Sequence, residues 1–338
     1  MPVQYILAFE SSCDDTSVAI VDTDYNVIVN LISSQPEHLE FGGILPELAS
    51  RLHLKNIVTL TKVALNASKL NLQDISAIAV SINPGLIGSL IVGLAFAKGL
   101  AWSLSLPLIT VNHILSHIFA NFIEHKAVEP PFLALVVSGG HTELVHFDTL
   151  TTFTVVGKTL DDAAGESFDK AAKLLGLGFP GGPAIDELAQ KGNPNFIIFP
   201  RALPQKINFN FSYSGLKTSI RTWLVNQNSE TLQDKLPDIA ASVQQAIIEP
   251  LVHKTVLWAR QHKIPYILLA GGVAANSALR QQLTAASAKY GIKVFYPSNT
   301  LCMDNAAMVG AAAIPKFLTK NYAPLSINVS SLKGTRQV

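Results

Sequence analysis

Apolar positions along this chain alternate between two periods, and their order is its most legible feature. Residues 5–9, 17–21 and 27–32 are short apolar runs separated by polar turns, which predicts a three-strand meander. The stretch "FLALVVSGGHTELVHFDTLTTFTVVG" repeats that rhythm much later, so the chain reads as two duplicated units. After the first meander, the pattern predicts a helix over 47–67, a strand at "ISAIAVSI" and an apolar helix from Leu86. A strand at "PLITV" and a helix within "VNHILSHIFA" complete that unit. After the second come helices over 160–175, 184–190, 215–225 and 232–262. They are followed by a strand "YILLA", a helix over 277–290, a strand "KVFYP" and a last helix from Asn305.

Strands first, then alternating helices and strands, predict an α/β fold: a mixed sheet with helices on both faces, made twice. Two such lobes around a central cleft resemble the actin-like ATPase, sugar-kinase and Hsp70 architecture, which is ribonuclease H-like. The 338 residues exceed one ordinary core. The expected division is a first lobe over 1–128 and a second over 129–303, with an irregular insertion near 193–213. Residues 304–338 are expected to form a C-terminal helix and tail packing back on the first lobe.

Composition narrows the function classes. Hydrophobic residues make up 49% and charged ones 14%, which suits large buried sheets and leaves little room for disorder. A formal charge of +1 gives no electrostatic footprint for nucleic acid, so such a partner must be gripped by local patches. The start "MPVQYILAFESSCDD" lacks a basic region and a long apolar run, so the expected location is the cytoplasm. The apolar stretch from Ser89 carries Lys98 and Pro107, which argues for a buried helix and strand over a membrane span. Cys13 and Cys302, the two cysteines, are expected to be free thiols.

Candidate chemistry begins with His113 and His117, four apart in an apolar run. On a helix they share a face and can present two imidazoles to one ion, or be buried and hydrogen-bonded without one. A zinc-protease helix would place Glu after the first His, where this chain has Ile114. Asp304, before an alanine-rich helix, is either an N-cap or a third ligand. Glycine-bearing junctions at "VVSGGHTEL", "FPGGPAIDEL", "LAGGVAANSAL" and "SINPGLIGSL" suit backbone approach to phosphate, and each also suits a plain tight turn. Asn276 and Asp186 offer groups for a base or ribose, with helix capping as the alternative. Asp161, Asp162, Glu166 and Asp169 form an acidic group that either orients ligand hydroxyls or is a solvated helix start. Asp14 and Asp15 sit on the first turn, where relatives of this architecture handle phosphates and their metal, and a plain solvated turn is the alternative.

Taken together, "ESSCDDTSVAI", "GGILPELASRLH", "NPGLIGSLIVG", "NHILSH", "VSGGHTEL", "DDAAGESFDKAAKLLGL", "PGGP", "FSYSGLKT", "AGGVAAN" and "MDNAAM" resemble one family nearly end to end. It is the tRNA threonylcarbamoyladenosine transferase family of the TsaD or Gcp type, historically labelled O-sialoglycoprotein endopeptidase. The resemblance implies that His113, His117 and Asp304 bind one divalent metal ion, Fe(II) or Zn(II). It implies that Val136, Val137, Ser138, Gly139, Gly140, Asp169, Gly182, Asp186 and Asn276 line the site for threonylcarbamoyl-AMP, an adenine nucleotide in the cleft. Asp14 matches a position that relatives need for activity. The chain departs from the family pattern at Asp15, often Glu in relatives, at Leu115 and Ser116 between the histidines, and at Asn83.

The implied reaction moves the threonylcarbamoyl group from its anhydride with AMP onto N6 of the adenosine beside the tRNA anticodon. This is acyl transfer by amine attack and requires no serine or cysteine nucleophile. Implied partners are tRNA, a TsaB-like paralogue, a TsaE-like ATPase and a separate threonylcarbamoyl-AMP synthase, with no membrane. Lys206, Lys217, Arg201 and Arg221 are candidates for a basic rim. Rival readings are an ATP-dependent kinase or ATPase of the same architecture, a metalloprotease, and a non-catalytic paralogue lacking the metal ligands.

Overall fold

The computed structural model describes residues 3–41, 43–201, 203, 208–227, 229–330 and 335. In chain order the elements begin with β1 (Tyr5–Glu10), β2 (Asp15–Asp22), β3 (Val27–Ser34), α1 (Pro46–Ser68), β4 (Ile75–Asn83), α2 (Ile87–Leu104), β5 (Leu108–Asn112) and α3 (His113–Glu124). They continue with β6 (Phe132–Val137), β7 (Thr142–Phe147), β8 (Phe153–Lys158), α4 (Ala164–Leu174), α5 (Gly181–Ala189), α6 (Ser214–Val225), α7 (Ser229–Asp234) and α8 (Leu236–Gln261). The last are β9 (Tyr266–Ala270), α9 (Ser277–Ala288), β10 (Lys293–Phe295), α10 (Asn299–Cys302) and α11 (Ala306–Leu318). Two compact units result, Met1–Val128 with Met303–Val338, and Glu129–Cys302.

The first unit is a five-stranded mixed sheet in the order β3-β2-β1-β4-β5. β1 and β2 pair antiparallel, whereas β1–β4 and β4–β5 are parallel. Strand periodicity sorts side chains between its two faces. Leu7, Phe9, Val18, Ile20, Ile78 and Val80 join one core with Ile57 of α1 and Leu94 of α2. The alternate positions face α11 and α3. Gly310 of α11 lies so close to the sheet that a Cβ there would stand 2.5 Å from Val21 Cγ2, so a larger residue would force the helix outward. The Ser17 hydroxyl accepts a bond from the Ala306 N–H at the start of α11.

Among the described residues one helix, α2, is long and apolar enough to cross a membrane by composition, with mean hydropathy 1.6. It packs against α1 and β4 within the first unit, and its Lys98 ammonium donates to the Ile327 carbonyl.

The second unit repeats the topology as β8-β7-β6-β9-β10, with β6–β7 and β7–β8 antiparallel and β6–β9 and β9–β10 parallel. Its core joins Leu133, Leu135 and Val137 of β6 to Phe168 of α4, Ile185 of α5 and Ile247 of α8.

Several helix boundaries differ from the periodic pattern, and two of the differences have a clear local cause. The helix expected from residue 160 begins only at Ala164, because Asp161 is drawn off to bond the start of α6. The run expected over 232–262 is two helices, α7 and α8, with Pro237 in the first turn of α8, where its missing N–H costs nothing.

Candidate metal centre

β5 passes into α3 with no loop between them, which puts His113 on the first turn of the helix. Asn112 caps that turn, its side-chain oxygen accepting the N–H groups of Ile114 and Leu115 at 2.9 and 3.1 Å. The helical spacing then sets the two imidazoles side by side, centroids 4.8 Å apart and planes at 81°. Asp304 completes the group. Its Oδ1 lies 3.5 Å from His113 Nε2 and 3.1 Å from His117 Nε2, and one ligand atom from each residue falls within 4.8 Å of the others. All three residues belong to the first unit.

The capping alternative for Asp304 does not hold. The N-cap of α11 is Asn305, whose side chain accepts from the Met308 N–H at 3.0 Å. One residue therefore takes the backbone role, and its neighbour turns its carboxylate to the histidines. Donors around a small divalent ion at roughly 2.0–2.2 Å in tetrahedral geometry lie about 3.4 Å from one another, so the observed spacings fit such an ion.

Behind His113 lies a buried network that the sequence did not announce. Glu10, at the end of the central strand β1, places Oε2 3.0 Å from His113 Nδ1. Its Oε1 accepts the Ser12 N–H at 2.6 Å, and its Oε2 accepts the Ser81 hydroxyl at 2.8 Å. The Ser12 hydroxyl is also 3.1 Å from His113 Nδ1. Burial opposes a charge on Glu10, but the attraction and hydrogen bond of His113, with help from Ser12, hold its carboxyl below the usual glutamate range. Burial likewise opposes a charge on His113, yet Asp304 and Glu10 push its imidazole up to about 9. An ion bound at Nε2 therefore takes the place of a proton. The only sequence signal for Glu10 is a carboxylate closing an otherwise apolar strand, "YILAFE".

Asp14 sits half-buried on the turn from β1 to β2, two residues beyond Ser12. Cys13 and Cys302 are both free thiols. Burial, reinforced by Asp14 and Asp304, pushes the Cys13 thiol far above its ordinary range, which leaves it a poor nucleophile.

In the second unit the remaining candidates lie at turns and helix starts. Val136 and Val137 are fully buried in β6. The Ser138 N–H donates to the His141 carbonyl at 2.8 Å, which closes the turn and leaves Gly139 and Gly140 exposed at its tip. Gly165 of α4 packs on this turn, 2.5 Å from the Ser138 oxygen to a notional Cβ, so only glycine fits. Asp169 accepts the Gly181 N–H at 2.7 Å, and bonds from Gly181 and Gly182 partly offset the rise that burial imposes on its carboxyl. Asp186 accepts both the N–H and the hydroxyl of Ser277, at 2.9 and 2.8 Å. Asn276 caps α9 through the Leu279 N–H at 2.8 Å and donates to Gln244 at 2.7 Å. These three side chains therefore brace the turns beside them.

The rest of the acidic group is also engaged. Asp162 and Glu166 both pair with Lys170, at 2.7 and 2.8 Å. Asp161 accepts the N–H groups of Tyr213 and Ser214. Among the basic candidates, Arg201 pairs with Glu249 at 2.9 Å, Lys217 and Arg221 are exposed on α6, and Lys206 lies outside the described residues.

Comparison with known proteins identifies the family and the fold. The model of the TsaD family, described as tRNA N6-adenosine threonylcarbamoyltransferase, matches residues 26–311. A relative of that name from Clostridium perfringens (strain SM101 / Type A) is 48% identical over 329 residues, 97% of each chain. Among solved structures, HypF of T. kodakarensis superposes with a TM-score of 0.65 at 15% identity, over 95% of this chain and 49% of its own. The ROK hexokinase of Thermus thermophilus gives 0.51 at 12% identity, over 94% of this chain and 99% of its own. These two likenesses are of fold, the sugar-kinase-like, actin-like architecture.

Proposed function

This chain belongs to the tRNA N6-adenosine threonylcarbamoyltransferase family, and from that premise we propose that His113, His117 and Asp304 form the metal centre at which it works. It is a transferase that modifies tRNA. In our reading it moves the threonylcarbamoyl group of threonylcarbamoyl-AMP onto N6 of the adenosine next to the anticodon. The observation that carries the reading is the convergence of two imidazoles and one carboxylate within 4.8 Å.

Two nitrogens and one oxygen suit Fe(II) or Zn(II), with positions left open for a ligand. A divalent ion held there would supply Lewis-acid polarisation of the acyl group. The protein's own residues have the tasks of holding and orienting. The exposed turn of Gly139 and Gly140, fixed by the Ser138–His141 bond, is the place we assign to the phosphate. Asp169, Asp186 and Asn276 shape the nucleotide site by fixing the backbone at Gly181, Ser277 and Leu279. Asp14, on the turn beside Ser12, is the residue we assign to the reacting end. No thiol takes part, in keeping with the inert Cys13.

A formal charge of +1 supports shared tRNA binding, with Lys217 and Arg221 contributing from α6 and a TsaB-like paralogue, a TsaE-like ATPase and a separate synthase as partners in the cytoplasm. A kinase of this architecture would have no use for the histidine pair. A zinc protease would need a glutamate where Ile114 stands.

The test is transfer of labelled threonylcarbamoyl from its adenylate to unmodified tRNA, with the partner proteins present. We expect label in the anticodon loop with the wild-type chain, and a loss of roughly 100-fold or more in a His113→Ala, His117→Ala double variant. Equal transfer by both proteins would remove the metal centre from the reaction.

A further inference from the structure

We propose that Glu10 is the positioning residue of the metal centre: it holds His113 with Nδ1 toward the sheet and Nε2 toward the ion, and adds a buried negative charge behind that ligand. This rests on the reading that His113, His117 and Asp304 hold a metal.

The alternation of β1 makes Glu10 available for the task. Leu7 and Phe9 enter the core with α1 and α2, so Glu10, one position further, points to the opposite face, where α3 lies. It is 1% exposed, and a carboxylate so buried is stable only when its oxygens are satisfied. Three donors do this: the Ser12 N–H on Oε1, and the Ser81 hydroxyl and His113 Nδ1–H on Oε2. Ser81 stands on the adjacent parallel strand β4, so two neighbouring strands cooperate to fix one carboxylate. A carboxylate behind a metal-bound histidine selects the tautomer and raises the basicity of the ligating nitrogen.

The arrangement is asymmetric. His117 Nδ1 is buried with no hydrogen-bond partner among the described residues, so only His113 has its ring fixed from behind. Glu10 also adds its negative charge to that of Asp304 beside a divalent ion, and losing that charge costs affinity.

Calorimetric zinc titration of the full chain, together with cobalt(II) absorption spectra, tests this on wild type, Glu10→Gln and Ser81→Ala. Glutamine keeps the shape of Glu10 but loses the charge and one acceptor. We expect Glu10→Gln to bind zinc about 10- to 100-fold more weakly and to alter the cobalt(II) d–d bands, which a purely structural role would leave unchanged. Ser81→Ala, which removes one donor from Oε2, should weaken zinc several-fold in the same direction. If Glu10→Gln does not fold, Ser81→Ala decides, and unchanged affinity there overturns the proposal. Wild-type affinity and an unaltered cobalt spectrum in a folded Glu10→Gln protein also overturn it. A wild-type chain that takes up no zinc or cobalt would instead sink the metal reading on which it stands.

Discussion

The two units share a strand order but use their acidic residues in opposite ways. In the first, the central strand β1 ends in Glu10 with Ser81 beside it on β4, and that carboxylate, with Asp304, faces a histidine. In the second, the corresponding strand β6 ends in Val137 with Gly271 beside it. Gly271 has φ +88°, and a Cβ there would lie 2.5 Å from the Val137 carbonyl. The acids of that unit fasten helix starts instead: Asp161 on α6, Asp169 on α5 and Asp186 on α9. One topology thus ends its central strand in a buried polar cluster in the first unit, and in closely packed backbone with exposed glycines at the turn in the second. The difference lies in a few strand-terminal residues, in keeping with function carried by sites grafted on a fold.

The sharpest way to break this contrast is to move the charge. Val137→Glu places a carboxylate at a fully buried position in the apolar core of the second unit, with no cation beside it among the described residues, and it should destabilise the protein by about 3–5 kcal/mol or prevent folding. Chemical denaturation measures it, and a loss below about 1 kcal/mol would mean that the second unit tolerates what only the first is built to hold.

A second comparison separates adjacent residues on the first unit. Asp304→Asn should lower transfer roughly 100-fold or more while leaving α11 capped, because Asp304 is not the helix cap. Asn305→Ala should do the reverse, costing about 1 kcal/mol of stability by uncapping α11. Parallel thermal melts and transfer assays would show the two effects divided between the neighbours, and a reversed division would restore the capping role to Asp304.

The smallest effect concerns the second unit's fastenings. Burial works to raise the Asp161 carboxyl, but bonds from Ser212, Tyr213 and Ser214 outweigh it and hold the group below its ordinary value of 3.8. A depressed folded value means that this contribution is fully present above about pH 4 and is lost as pH falls through the folded value. Amide exchange at the start of α6 should therefore quicken in acid, and Asp161→Asn should flatten that dependence. An unchanged acid response in the variant would release Asp161 from the role.

Much of the fold was legible because strand and helix periods are local properties. The duplicated meander, the histidine pair and the last helix all follow from neighbours in sequence. What escaped depends on partners far apart along the chain. Asp161 reads as part of an acidic helix start, but its oxygens belong to residues some fifty positions on. Asp304 reads equally well as a cap until Asn305 is seen to fill that place. Glu10 gave almost no signal, since its meaning comes from Ser81 on another strand and His113 on a helix. Asp186 and Asn276 read either as base or ribose contacts or as helix caps, and the structure bonds both to the start of α9.

The most direct test of the central claim is X-ray absorption at the zinc or iron edge on the loaded full-length chain. The account predicts two imidazole nitrogens and at least one carboxylate oxygen at roughly 2.0–2.2 Å, with one imidazole lost in His117→Ala. A first shell lacking paired imidazoles, or a spectrum identical in His117→Ala, would contradict it.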